Sequence, residues 1–235
     1  MPPTPEDVRA ALTHIREARG FVLPHHGAMA AALPELHIAY EAMYRALTLE
    51  PRHLAPLERE VVWLAILAAC EEPVGTHHLH KFRLAGGDDA LAQAVFRLVG
   101  WAAGARRWAC MADHWQAQFP ALPAAQGYLD GLDALLGDGA LAPGLARLAL
   151  VGIHTACEED WGLRVALRSA YALGVEEPRM AEAMSLPIWP RGVNRFVRAT
   201  AAWLEMIRAG EVAPSPPFQA WAEVAGQGAF TPPPP

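Results

Sequence analysis

Cysteine is scarce and odd in number, with three in 235 residues. That excludes a disulfide-built scaffold and predicts reduced thiols. Long apolar runs are missing too: the longest, residues 61–70, is half the roughly 20 residues a membrane-crossing helix needs. The opening MPPTPEDVRAALTHIREARG has no apolar core of the signal-peptide kind, so the sequence predicts a cytoplasmic protein with no membrane partner. Lysine and arginine form no cluster and net charge is −6, which argues against nucleic acid and anionic membrane surfaces as partners. Strand signals are nearly absent. Charged residues are only 19% against 53% hydrophobic, which excludes a disordered chain and leaves enough apolar surface for a sizeable core.

What is present is helical. Alanine and leucine dominate, and apolar residues recur three and four apart. PEDVRAALTHIREAR opens on proline and two acids and closes on basic residues, as a helix dipole favours. LPELHIAYEAMYRALTL, PLEREVVWLAILAAC and PRMAEAMSL are amphipathic, and prolines and glycines punctuate them at Pro51, Pro56, Gly86, Gly87, Pro120, Pro123 and Pro143. The fold class read from this is all-α, with a Pro-rich tail over 207–235 expected to be extended or mobile.

A repeat organises the chain. Cys70-Glu71-Glu72 returns 87 residues on, as Cys157-Glu158-Glu159. At the same spacing Leu54-Ala55-Pro56 returns at Leu141-Ala142-Pro143, and Gly87 at Gly174. Downstream, Trp101, Gly104, Arg107 and Trp108 pair with Trp189, Gly192, Arg195 and Phe196, with one residue inserted. Matched residues of such different kinds in one order predict two tandem helical units, 31–118 and 119–206, behind an N-terminal helical extension over 1–30. Two such copies are expected to pack as a pseudo-dimer within the chain. The copies differ in chemistry. Glu58 aligns with Leu145, Glu60 with Arg147, His77 with Arg164 and His78 with Val165, so proton-transfer groups are expected in the first copy and structural support from the second.

The pattern LPELHIAYEAMYRAL, LAPLEREVVWLAILAACEE, a histidine pair and a closing glycine resembles the carboxymuconolactone decarboxylase and alkylhydroperoxidase-D-like family, over about 33–115 and again 122–203. Gly192-Val193-Asn194-Arg195 is similar to the family as well. The peroxidase branch carries a glutamate, then Cys-x-x-Cys-x-x-x-His. Here Glu58, Cys70 and His77 occupy that register, but Pro73 stands in place of the second cysteine. Asp160-Trp161-Gly162 in the second copy is closer to the decarboxylase branch, and other alignments move the family histidine to His78. The resemblance implies a homo-oligomer, three doubled chains imitating a hexamer, acting on a small-molecule substrate.

Cys70 lies beside Glu71 and Glu72, which raise a thiol pKa, and it has no resolving partner; a small buried apolar residue is the plainer reading. His77 and His80 share a helix face with Lys81, but no three-ligand metal set is evident, so no metal or other cofactor is expected. The favoured chemistry is acid–base. His77 or His78 moves a proton, with Glu58 or Glu60 orienting it, and Arg107 or Lys81 holds a substrate carboxylate. For at least one glutamate the alternative is simple decoration of a helix start after Pro56. Trp101, Trp108 and Trp115, seven apart, read as a core or interface stripe, with Trp101 as a pocket wall in the minority reading. The function expected is decarboxylation or isomerisation of a small organic acid or lactone. Thiol peroxidase activity, or a non-catalytic ligand-binding or assembly role on a decayed site, are the alternatives.

Overall fold

Several helices open on a proline, because its missing N–H costs nothing in a first turn and its fixed φ suits one. The computed structural model describes residues 2–137 and 139–228, and among them every regular element is helical. The chain divides into two compact units, one ending at Glu50 and the other starting at Pro51. The first holds α1 (Pro5–Arg19), α2 (Pro24–Ala32) and α3 (Pro34–Tyr44), followed by a π-helical turn over Arg45–Leu49. Thr4 and Asp7 cap α1 reciprocally: Asp7 N–H donates to the threonine hydroxyl at 3.2 Å, and Thr4 N–H to the carboxylate at 2.8 Å. The division at Glu50 falls inside the segment 31–118 that the sequence spacing had delimited, and leaves α3 in the first unit.

The second unit contains α4 (Pro56–Cys70), α5 (Thr76–Leu84), α6 (Asp89–Ala102), α7 (Ala105–Cys110), α8 (Ala124–Leu135), α9 (Pro143–Cys157), α10 (Asp160–Ala172), α11 (Glu177–Ser185), α12 (Ile188–Arg191), α13 (Val193–Arg208) and α14 (Pro216–Glu223). α4 and α9 pack against each other at its centre. Both are apolar nearly all round, the pattern of helices buried on every side. α5 and α6 flank α4; α10 and α11 flank α9 in the same way. α4 and α9 each have 15 residues, begin with proline, end with cysteine and are followed by a glutamate in the left-handed conformation, Glu71 (φ 54°) and Glu158 (φ 51°).

Two expectations are corrected. The tail is not extended throughout: α14 is helical, and its Phe218 and Trp221 pack on Trp203 of α13. The remainder of the tail, 229–235, lies outside the described residues. The tryptophan stripe is not continuous either, because the helix breaks between α6 and α7 around Gly104. Trp101 stacks on Tyr128 and donates its indole N–H to the Tyr128 carbonyl at 3.2 Å; Trp108 meets Tyr128 edge-on, and Trp115 is exposed. Trp101 is thus a core contact and lines none of the four cavities described below.

Candidate functional site

Glu58 and Glu60 lie two residues apart on α4, about 200° around the helix, so they serve different surroundings. Glu58 closes the helix start. Its carboxylate accepts the Ala55 N–H at 3.0 Å and pairs with Arg179 at 2.5 Å. Glu60 points inward and meets His78 of α5, with Oε2 and Nδ1 2.7 Å apart and both residues only 2% exposed. The Trp63 indole stacks on the His78 ring, centroids 4.2 Å apart at 23°, and His77 lies against it at 4.3 Å. Arg59 Nε is 3.6 Å from the other Glu60 oxygen. Burial pushes the His78 pKa below its usual value against the opposing pull of Glu60, while the nearby charges of Lys81 and Arg59 push it lower still. The imidazole is therefore neutral at pH 7. A neutral ring that donates Nδ1–H to the carboxylate leaves Nε2 as the basic atom.

The other sequence candidates disperse. Arg107 is exposed, and Arg106, which the sequence reading passed over, lines a cavity instead. His77 and Lys81 are half-buried beside the pair, and His80 is exposed. Cys70 is buried; burial raises its thiol pKa, with Arg191 partly offsetting that. Burial raises Cys157 as well, the neighbouring Cys70 adds to the rise, and its Sγ lies 3.9 Å from the Ala69 carbonyl oxygen. At the position that the sequence spacing aligns with Glu60, Arg147 is buried and pairs with Asp133 at 2.7 Å.

Two clusters escaped the sequence reading. In the first unit, Arg19 pairs with Glu41 and lies 3.8 Å over the Tyr44 ring, while the buried His26 and His37 each bring Nε2 to about 4 Å from Glu41 Oε1. Leu23 N–H donates to His26 Nδ1 at 3.0 Å, which fixes the neutral tautomer, and burial holds the His26 pKa down at about 4. In the second unit, His154 of α9 is 1% exposed, its Nε2 3.3 Å from the Tyr128 hydroxyl and its Nδ1 3.8 Å from Glu159. Burial lowers the His154 pKa to about 3 and raises the carboxyl of Glu159. His154 and Glu159 form a shared wall between two cavities of about 360 and 260 Å³. Glu60 and His78 line neither of these, nor the two others described, near Leu67 and near Tyr171. Among the described residues no group of histidine, cysteine, aspartate and glutamate has the arrangement to hold a metal ion, and no helix there is long and apolar enough to cross a membrane. Searched against protein families, curated proteins and solved structures, the chain matches none of them.

Proposed function

We propose that the chain is an acid–base enzyme acting on a small organic acid or lactone, related to the carboxymuconolactone decarboxylases, with Glu60 and His78 as its proton-handling pair. The observation that carries this reading is a buried carboxylate–imidazole pair, 2.7 Å apart, with an indole against the ring face. A structural ion pair has little need of the spare polar capacity around it: the Trp63 indole N–H and Glu60 Oε1 are both buried and make no hydrogen bond among the described residues. Isomerisation is the reaction whose protons balance on one imidazole. His78 Nε2 takes a proton from the carbon next to a carbonyl, the electron pair moves into a dienolate, and the same proton returns one double bond further along. In a decarboxylation the departing CO₂ leaves that electron pair behind, and the proton delivered to carbon comes from solvent through His78.

Doubling of the chain belongs to the same reading, supported by the twin ends of α4 and α9. So does homo-oligomer formation, supported by the exposed Val74, Leu79, Leu84 and Phe96 around the first copy. A thiol peroxidase is disfavoured by a Cys70 pKa raised by burial and by Pro73 in place of a resolving thiol. A non-catalytic role on a decayed site stands as a second reading, because the pair lines none of the four described cavities. Turnover of β,γ-unsaturated lactone acids, followed by the absorbance of the conjugated product and by CO₂ release, separates the two. The enzyme reading expects His78→Asn to lower the rate by at least about 100-fold, the usual worth of a positioned acid–base group, and His77→Asn to leave most of it. Full activity in His78→Asn refutes the assignment, and absence of turnover in the unaltered protein favours the non-catalytic role.

A further inference from the structure

α4 and α9 bring their C-terminal ends together, and each ends on a cysteine. Cys157 Sγ lies 3.9 Å from the Ala69 carbonyl oxygen. That oxygen and the Cys70 Cα belong to one planar peptide unit and are about 3 Å apart. The Cys157 sulfur therefore stands within about 7 Å of the Cys70 Cα. The two thiols also act on each other, since a charge on Cys70 raises the Cys157 pKa. Arg191 joins them: its guanidinium donates to the Cys70 carbonyl at 3.2 Å, hydrogen-bonds the Cys70 thiol and bears on Cys157 as well. The third cysteine, Cys110, stands exposed on α7.

The two cysteines differ in access. Cys70 is buried, whereas Cys157 is half-buried and lines the cavity of about 260 Å³. Glu71, Arg106 and Glu159 share that lining. Its carboxylates repel anions, but an uncharged peroxide feels no such repulsion. Around the thiols, Arg106, Arg191 and Arg195 favour a Cys157 thiolate, and Arg191 and Arg195 a Cys70 thiolate, while Glu72 opposes the latter. Burial outweighs the arginines at both. The pair is thus reachable from one side and slow to ionise.

We propose that Cys70 and Cys157 are a redox pair, closed to an intrachain disulfide by a hydroperoxide that enters the cavity beside Cys157 and stapling the ends of α4 and α9. The Cys157 thiolate attacks one peroxide oxygen. The O–O bond breaks, and the other oxygen leaves with the electron pair and takes up a proton. Cys157 is then a sulfenic acid. Cys70 Sγ attacks that sulfur, the S–O bond breaks as the S–S bond forms, and the departing hydroxide takes the Cys70 proton and leaves as water. Two thiols are oxidised and one peroxide is reduced. The thiol that Pro73 replaces is thereby supplied from the other half of the chain. Because burial keeps both thiols protonated, closure is a slow switch rather than a peroxidase turnover. It stands or falls without the Glu60–His78 pair.

The full chain carrying Cys110→Ser tests this with hydrogen peroxide as the probe, since the change is at an exposed residue and leaves only the two thiols in question. Folded protein at low concentration is expected to lose both thiols together, without covalent dimers, and dithiothreitol to restore both. Mass spectrometry of tryptic fragments is expected to find the one holding Cys70 joined to the one holding Cys157. Closure is expected to run at least about 10-fold faster in folded protein than in urea, where a long flexible loop must first bring the cysteines together. With Cys70→Ala added, Cys157 is expected to stop at the sulfenic acid, which dimedone traps. His78→Asn is expected to close at the unaltered rate, so failure here and failure of the acid–base assignment are told apart. Closure no faster folded than unfolded, bridges between chains, or loss of one thiol while the other persists overturns the proposal.

Discussion

Glu71 and Glu158 occupy a backbone region that costs a residue with a Cβ roughly 1–2 kcal/mol. Glycine ordinarily ends a helix there. Twice in this chain a glutamate does so, directly after a cysteine, and both glutamates line cavities. Glu158 has an evident reason to stay, because it holds Arg195 and Arg198. Glu71 is exposed and has no such ion pair among the described residues. Glu71→Gly is therefore expected to stabilise the second unit by about 1 kcal/mol, since relief of the left-handed strain exceeds the extra chain entropy of glycine. Glu158→Gly is expected to gain less, having lost two ion pairs. Urea midpoints of the two variants check the order, and a larger gain for Glu158→Gly contradicts it.

Among elements, the crossing of α4 and α9 matters most, and it is held close by one small residue. A Cβ on Gly152 would stand 2.9 Å from Ile66 Cδ1, nearer than such atoms approach, and at a tight 3.1 Å from Val62 Cγ1. Gly152→Val forces the two central helices apart and is expected to cost about 1–3 kcal/mol, the usual range for an overpacked core. Denaturant unfolding measures it, and a neutral result places the helices further apart than described. Both helices are legible in the sequence, from a proline start, an alanine and leucine body and the cysteine that ends each. Their rotation is not, and that is why the site was only half legible. Glu58 and Glu60, like His77 and His78, differ by where a helix face points, and the facing is decided by tertiary packing of α5 on α4 rather than by local pattern. His154 was passed over for a related reason. A single histidine in an apolar run reads as core, and the available signal was relational: His154-Thr155 stands where the matched helix has Leu67-Ala68. In the first unit Arg19, His26, His37 and Glu41 come from three helices, so no spacing along the chain announced their meeting.

Taken as a molecule, the chain stores neutral histidines in both of its units, His26 in the first and His78 and His154 in the second. A histidine whose folded pKa lies below its unfolded value of about 6.5 takes up a proton more readily when unfolded. Its burial therefore costs nothing above pH 6.5, and stability falls as pH drops below that value, until the folded pKa is reached. For His154 that window runs from about 6.5 to about 3, with a slope near 1.4 kcal/mol per pH unit. Burial of Glu159 acts in the opposite sense at its own titration, since a carboxyl raised in the fold binds its proton sooner there. With two units, a single unfolding free energy is not defined for the whole chain. All eight tryptophans, however, lie after residue 50, so tryptophan fluorescence follows the second unit alone. His154→Leu, which installs the residue found at the matched position 67, removes one titrating group without leaving a large void. Between pH 6 and 4.5, urea unfolding read by fluorescence is expected to show the unaltered protein losing stability faster than this variant, by about 1.4 kcal/mol for each pH unit. Parallel slopes would mean that the His154 ring gains its proton in the folded state as easily as in the unfolded one, and so that it is not sealed from water behind Tyr128 and Glu159.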